Sequence, residues 1–163
     1  MRAFCLAYRD ALTGLSNHNN FEEYLAWELS DVKPGQGVSV HFVRLLDLWR
    51  VSERFGWQAR DELIRIVSSR LAALCRSDSL LARISTDGFA VASVMEHAFD
   101  AQNLAKRLNQ ALTSPIMVDG SEVHVRYQLG TAVSENRMEP AELMHEAELA
   151  ANQGMGENNP LPA

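Results

Sequence analysis

The sequence has few residues that would cross-link the chain or bind a metal ion. Only two cysteines, Cys5 and Cys75, occur among 163 residues, and they show no CxxC or Cys/His spacing. This pattern indicates neither a disulfide framework nor a zinc site, and it is typical of reduced thiols in the cytoplasm. Metal-ligand spacing is also missing around the five histidines, which are His18, His41, His97, His124 and His145.

Long apolar runs and clusters of basic residues are missing as well. No apolar run approaches the roughly 20 residues that cross a bilayer, and the apolar stretch at 4–8 is too short for a signal-peptide core. The formal net charge is −6 with scattered basic residues, which disfavours binding to nucleic acid or to an anionic membrane. We therefore predict a cytoplasmic domain without nucleic-acid or membrane contact. Small anionic ligands need only a local site.

Apolar residues make up 47% of the chain, enough for one domain with its own core. The periodicity predicts helix, strand, two helices, two strands, helix, two strands and a final helix. Strands are expected at 38–46 and at 116–118, with 123–133 following the Asp119-Gly120 turn; the last helix covers roughly 140–151. This order indicates an α+β sandwich, with a mostly antiparallel sheet covered on both faces.

The segment 80–94 contains two apolar runs separated by a short polar turn. It predicts a β-hairpin that is apolar on both faces and therefore lies mid-sheet beneath helices. Asp87 then sits on the turn of a rigid scaffold, where its carboxylate can reach a ligand. The alternative is that Asp87 and Gly88 only form the turn.

Three motifs in this order resemble a known family. They are Asp10-x-Leu12-Thr13-Gly14-Leu15-x-Asn17, a strand and helix ending at Phe55-Gly56, and Ala82-Arg83-Ile84 before a turn ending in Phe89. The chain resembles a GGDEF domain, the catalytic domain of diguanylate cyclases, over residues 10–158. Residues 1–9 are then a lead-in from an upstream linker or helix, and 159–163 a frayed tail. The resemblance implies a nucleotidyl-cyclase palm-like fold, with a five-stranded sheet flanked by helices and a small peripheral hairpin.

The resemblance also implies a reaction. Family members join two GTP molecules into cyclic di-GMP, using metal ions held by carboxylates. The family signature Gly-Gly-Asp/Glu-Glu-Phe is replaced here by Ser85-Thr86-Asp87-Gly88-Phe89. Asp87 keeps the metal-binding carboxylate, but Gly88 replaces the catalytic glutamate. Ser85 and Thr86 add side chains where the nucleotide approaches the backbone, and they lose the conformational freedom of glycine.

Other family positions are also changed. The resemblance places Arg44 at the second metal-binding aspartate, Trp49 at a lysine and Ser52 at a guanine-reading asparagine, while Asp61 keeps the guanine-reading aspartate. The phosphate-binding lysine would fall within 153–156, which contains none. An arginine repels a cation, so we expect no catalytic residues, no bound magnesium and no other cofactor, with GTP at most a ligand.

Two further surfaces follow from the resemblance. The product-inhibition motif Arg-x-x-Asp corresponds to Arg76 and Ser79, with Asp78 one position early; a solvated Arg76–Asp78 pair is the alternative. Trp49 and Trp57 stand where the family has lysine and histidine. They form either a protein interface or a cover over the vacated nucleotide cleft.

These departures predict a catalytically inactive GGDEF domain, a fragment of a longer cyclic di-GMP signalling protein. It would act as a regulatory, dimerisation or protein-interaction module beside an EAL or sensor domain. One alternative is a GTP sensor without turnover, in which Arg44 touches the phosphates. Another is an active cyclase that recruits other carboxylates, namely Asp47, Glu53 or Glu62. Because the family's two metal positions share one ion, we also predict an Arg44–Asp87 ion pair; otherwise Arg44 extends to solvent.

Overall fold

A computed structural model describes residues 8–76, 79–135 and 137–153. None of the helices within these ranges is long and apolar enough to cross a membrane. The elements in chain order are α1 (His18–Asp31), β1 (Gly37–Leu46), α2 (Leu48–Phe55), α3 (Trp57–Ala72), β2 (Ser79–Arg83), β3 (Gly88–Met95), α4 (Asp100–Thr113), β4 (Ile116–Val118), β5 (Ser121–Val123), β6 (Arg126–Val133) and α5 (Pro140–Asn152).

The central sheet is antiparallel, with strand order β2-β3-β1-β6. The predicted α+β class and the hairpin of β2 and β3 are confirmed. The expected mid-sheet position holds only for β3, because β2 is an edge strand of the sheet. The sheet has four strands in the described part of the chain rather than the expected five. At the outer edge of β2, Ser16 makes isolated bridges to Ala82 and to Arg9 instead of belonging to a strand, because the chain there turns directly into α1.

The peripheral hairpin consists of β4 and β5. Asp119 and Gly120 both have positive φ, 49° and 77°, which is the conformation of a tight two-residue hairpin turn. The single strand expected over 123–133 is wrong, because β5 ends at Val123 and β6 leaves the hairpin to pair with β1. Tyr127 and Leu129 are thereby buried in the main core, and this burial favours the break.

The two faces of the sheet carry different helices. Val43 and Leu45 of β1 pack with α3 and α4 on one face, and Val40 and Phe42 pack with α1 and α5 on the other. The close approach of α5 to β6 depends on Gly130. A Cβ atom there would lie 2.1 Å from the Ala151 nitrogen, closer than any real contact, so only glycine lets α5 lie against the sheet.

Candidate functional site

The signature turn lies between β2 and β3, at the end of β1. Its backbone is fixed there because the Leu45 amide donates to the Asp87 carbonyl oxygen over 2.7 Å. Neither Ser85 nor Thr86 has a positive φ, so the turn closes without the conformational freedom of glycine. The Ser85 hydroxyl donates to Asp87 Oδ1 over 3.1 Å, and the Phe89 ring is fully buried.

Arg44 is directly opposite Gly88 in the register of β1 and β3, but its side chain turns toward α5. Its Nη2 lies 3.1 Å from Glu148 Oε1, and its Nη1 donates to Asn152 Oδ1. The guanidinium also lies 5.3 Å from the centre of the Phe42 ring. Arg44 shares the α5 face of β1 with Phe42, because side chains alternate along a strand.

The predicted Arg44–Asp87 ion pair is therefore wrong. Arg44 pairs with the Glu148 carboxylate of α5 on one face of the sheet. Asp87 instead accepts a hydrogen bond from Ser85 within its own turn. The alternative, with Arg44 free in solvent, is wrong as well, since its side chain is 26% exposed and paired.

A cleft of about 480 Å³ opens between the signature turn and the start of α2. We call it the nucleotide cleft, after the ligand that the family resemblance implies. It brings together several residues that the sequence analysis selected, together with neighbours that it did not: Leu45, Asp47, Leu48, Trp49, Ser52, Arg60, Ser85, Thr86 and Asp87. Arg44 and Asp61 are not among the lining residues, so the four predicted nucleotide-site residues do not all meet there.

Ion pairs hold two acidic groups near this cleft. Asp61 is 18% exposed, and its Oδ1 lies 3.4 Å from Nη2 of the neighbouring Arg60. Asp47 has a left-handed backbone with φ 58°, which ends β1 and begins α2. Its Oδ2 lies 2.5 Å from Nη1 of Arg126 on β6. Sequence reasoning missed Arg126, and no local pattern links it to Asp47.

Asp10 and Arg83 tie the first sequence motif to the signature turn. Both carboxylate oxygens of Asp10 lie 3.2 Å from Arg83 Nη1, and Arg83 Nη2 donates to the Thr86 carbonyl over 3.0 Å. The Thr13 hydroxyl and amide donate to Asp10 Oδ2 over 2.7 and 2.9 Å. Burial raises the pKa of Asp10, but the hydrogen bonds from Thr13 and Arg83 outweigh it and hold the pKa below its usual value.

The remaining predicted residues lie on the surface or outside the described ranges. Arg76 is exposed, and the Ser79 hydroxyl donates to Ser93 Oγ over 3.0 Å. Asp78 and residues 154–156 lie outside the described residues, so the product-inhibition and phosphate positions stay predictions. Trp49 and Trp57 are 60% and 63% exposed, and Trp49 lines the nucleotide cleft.

Comparison with known proteins identifies the family. The model for "Diguanylate cyclase, GGDEF domain" matches residues 7–158. The chain is 32% identical over 158 residues to the cyclic di-GMP phosphodiesterase NbdA of Pseudomonas aeruginosa, covering 94% of this chain and 20% of that protein. It is 30% identical over 148 residues to the diguanylate cyclase TpbB of the same species, covering 88% and 34%.

A solved structure supports the same assignment. The isolated GGDEF domain of P. aeruginosa TpbB has a TM-score of 0.82 and 28% identity, and the match covers 90% of this chain and 87% of that one. The palm-like fold expected from the resemblance is thereby confirmed. The chain spans about a fifth to a third of the length of these curated relatives, and in TpbB the GGDEF domain is part of a longer protein. The chain belongs to the GGDEF domain family of cyclic di-GMP signalling proteins.

Proposed function

We propose that this chain is a GGDEF domain without cyclase activity, a regulatory, dimerisation or protein-interaction module of a cytoplasmic cyclic di-GMP signalling protein. The observation that carries the proposal is Arg44. A guanidinium stands where the family places a metal-binding carboxylate, and it is held by Glu148 and Asn152. A fixed positive charge disfavours a divalent cation nearby.

The residues around the nucleotide cleft do not fit the family's metal ions. Hard divalent cations take several oxygen ligands, but only two carboxylates line this cleft, those of Asp47 and Asp87. Asp47 is paired with Arg126, and Asp87 accepts from Ser85. Across the described ranges, no group of three or more His, Cys, Asp or Glu side chains is arranged to hold a metal. We therefore derive no metal-dependent step.

The signature turn also lacks space for the family's glutamate. A Cβ atom on Gly88 would lie 2.6 Å from Ser85 Oγ and 3.3 Å from Phe42 Cζ. A glutamate at position 88 therefore requires the Ser85 side chain to rotate away, which breaks its hydrogen bond to Asp87. The two substitutions in this turn support each other, as expected if the turn has adapted to the loss of catalysis.

The test is an assay for cyclic di-GMP. Purified chain is incubated with GTP and Mg²⁺ or Mn²⁺, and product is measured by mass spectrometry beside an active diguanylate cyclase. We expect no product. Turnover by the wild-type chain would refute the proposal. The triple variant Arg44→Asp, Ser85→Gly, Gly88→Glu restores the family residues, and any product from it would locate the lost function at these positions.

A second candidate is a GTP sensor without turnover, and one observation favours it. The nucleotide cleft remains open at about 480 Å³ and keeps the Ser52 hydroxyl on its wall. Against it, Arg60 is paired with Asp61. Calorimetric titration with GTP, with and without magnesium, separates the candidates, because binding without product supports the sensor and no heat supports the interaction module. Arg60→Gly is the matched variant: a sensor should bind GTP more tightly once Asp61 is released.

The interaction role has its own support in the exposed tryptophans. Large aromatic side chains are frequent anchors of protein interfaces, and Trp49 and Trp57 are both more than half exposed. An EAL domain, a sensor domain, a separate protein or a second copy are the proposed partners. Sedimentation equilibrium of the wild-type chain and of Trp57→Ala tests the homodimer: dimerisation through this surface predicts weaker association of the variant.

A further inference from the structure

We propose that a second cleft in this domain binds a small anionic amphiphile, a molecule with an apolar body and a carboxylate head. This cleft, which we call the α2–β5 cleft, has a volume of about 460 Å³ and lies between α2 and the segment around β5. It uses Val51 and Phe55 of α2, whereas the nucleotide cleft uses Trp49 and Ser52. The two clefts share Asp47 and Leu48 at the start of α2 and otherwise use different residues of the helix.

The interior of the α2–β5 cleft is apolar. Val51 and Phe55 form one wall, Val123 and Val125 form the opposite wall, and the fully buried Leu63 closes the end. All four wall residues are only partly buried although they pack against the main core. A volume of several hundred Å³ with mostly apolar walls is characteristic of small-molecule sites. The body of the ligand is therefore expected to be apolar.

The rim of the cleft determines the charge of the ligand. Arg50 and Arg54 lie one helical turn apart on α2, both exposed. Their guanidinium groups lie 5.3 Å from the Trp49 ring centre and 5.0 Å from the Phe55 ring centre. Among the described residues neither arginine makes an ion pair. Exposed arginines one turn apart match a carboxylate well, because each guanidinium presents several donors in a fixed fork.

The other charged groups at the rim compensate this positive charge only in part. Asp47 is paired with Arg126, over 2.5 Å. The remaining carboxylate, on Glu122, lies 3.8 Å from His124 Nε2. Three arginines therefore face two carboxylates around this cleft, in a chain whose net charge is −6. This excess positive charge attracts an anion, whereas a neutral apolar molecule would give the guanidinium groups no charged partner.

The test is a titration of ¹⁵N-labelled chain with decanoate, below its micellar concentration, followed by amide chemical shifts. The expected result is saturable shifts confined to residues 46–55 and 122–126. Decan-1-ol, the uncharged analogue, should bind at least about tenfold more weakly, since it lacks the charge-assisted hydrogen bonds. This experiment involves no GTP, so its outcome is independent of the cyclase assay.

Two variants localise the head group. The double variant Arg50→Gln, Arg54→Gln should weaken decanoate binding at least about tenfold; both side chains are exposed, so the fold should be retained. Arg65→Gln is the matched control, because Arg65 is an exposed arginine on α3 outside the cleft. This variant should bind decanoate with the affinity of the wild type. The proposal is wrong if decanoate causes no shifts or if the shifts spread over the surface. It is also wrong if decan-1-ol binds as tightly as decanoate, or if the double variant binds decanoate as tightly as the wild type does.

Discussion

The Asp10–Arg83 pair allows a quantitative test of what fixes the signature turn. The substitution Asp10→Asn keeps the size of the side chain and one accepting oxygen but removes its charge. Arg83 is 11% exposed and Asp10 20% exposed on their side chains, so the pair is largely shielded from water. In the variant, the Arg83 guanidinium would keep the Thr86 carbonyl as an acceptor but lose its counter-ion.

The expected cost follows from this burial. Removing one partner of a fully buried ion pair costs about 3–5 kcal/mol, and an exposed pair contributes at most about 1 kcal/mol. Because Asp10 retains some contact with water and the amide oxygen still accepts from Thr13, we expect a loss of about 2–3 kcal/mol. With a urea m-value of about 2 kcal/mol/M, the midpoint would fall by about 1–1.5 M at unchanged m.

Urea unfolding followed by tryptophan fluorescence measures this loss. Glu62→Gln is the control, since Glu62 belongs to an exposed pair with Arg65 and its loss should stay within about 0.5 kcal/mol. A double-mutant cycle with Arg83→Gln should show that the two residues are coupled: the double variant should lose less unfolding free energy than the sum of the two single losses. A loss under about 0.5 kcal/mol for Asp10→Asn would refute the reasoning.

The same pair predicts a pH dependence. Because the pKa of Asp10 is lower in the folded state, the unfolded state binds the proton more tightly and protonation favours unfolding. The stabilisation is complete above the unfolded pKa of about 3.9 and is lost as pH falls through the lower folded value. The difference in unfolding free energy between wild type and Asp10→Asn should therefore shrink below about pH 4. A constant difference down to pH 2 would contradict this account.

Three further predictions use the same unfolding assay. Burial lowers the pKa of His41 to about 4. The free energy of unfolding should therefore fall by up to about 1.4 kcal/mol per pH unit as the pH is lowered from 6.5 toward 4. The substitution His41→Gln should remove this pH dependence, whereas His145→Gln, at an exposed histidine, should leave it unchanged. Gly130→Ala should cost several kcal/mol by forcing α5 off the sheet, whereas Gly37→Ala, whose Cβ meets nothing closer than 3.7 Å, should cost about 1 kcal/mol or less. Arg44→Ala should cost about 1 kcal/mol, since the side chain of its partner Glu148 is 46% exposed.

The sequence was most informative where local chemistry decides the structure. The β2–β3 turn and the Asp119-Gly120 turn were both predicted from dipeptides that favour tight hairpins, and α5 from its apolar spacing. The composition of 123–133 favours β structure throughout and therefore predicts one strand. The run breaks because β5 pairs with β4, whereas β6 pairs with β1 from far earlier in the chain. Pairing with a distant strand leaves no local signal.

The side of the sheet on which Arg44 lies was equally hard to predict. β1 is apolar on both faces, with Phe42 on one and Val43 on the other, so alternation does not reveal which helix layer Arg44 meets. Its partner Glu148 lies more than a hundred residues away on α5. The register of β1 and β3 places Arg44 opposite Gly88, one residue from Asp87. The predicted ion pair with Asp87 is wrong because it assumed that the side chains of Arg44 and Asp87 reach each other.

The surroundings of Arg44 also explain why its charge would be difficult to reverse. α1 and α5 carry seven carboxylates and no lysine or arginine, and Glu148 is the member of this layer that reaches the end of β1. An aspartate at position 44 would lie beside Glu148, and two close carboxylates disfavour each other's ionised form. Regaining the family residue therefore requires either a cation between the two or a second change at Glu148. The positive charge at position 44 and the acidic helix α5 therefore belong to one arrangement, in which Glu148 and Asn152 hold the guanidinium.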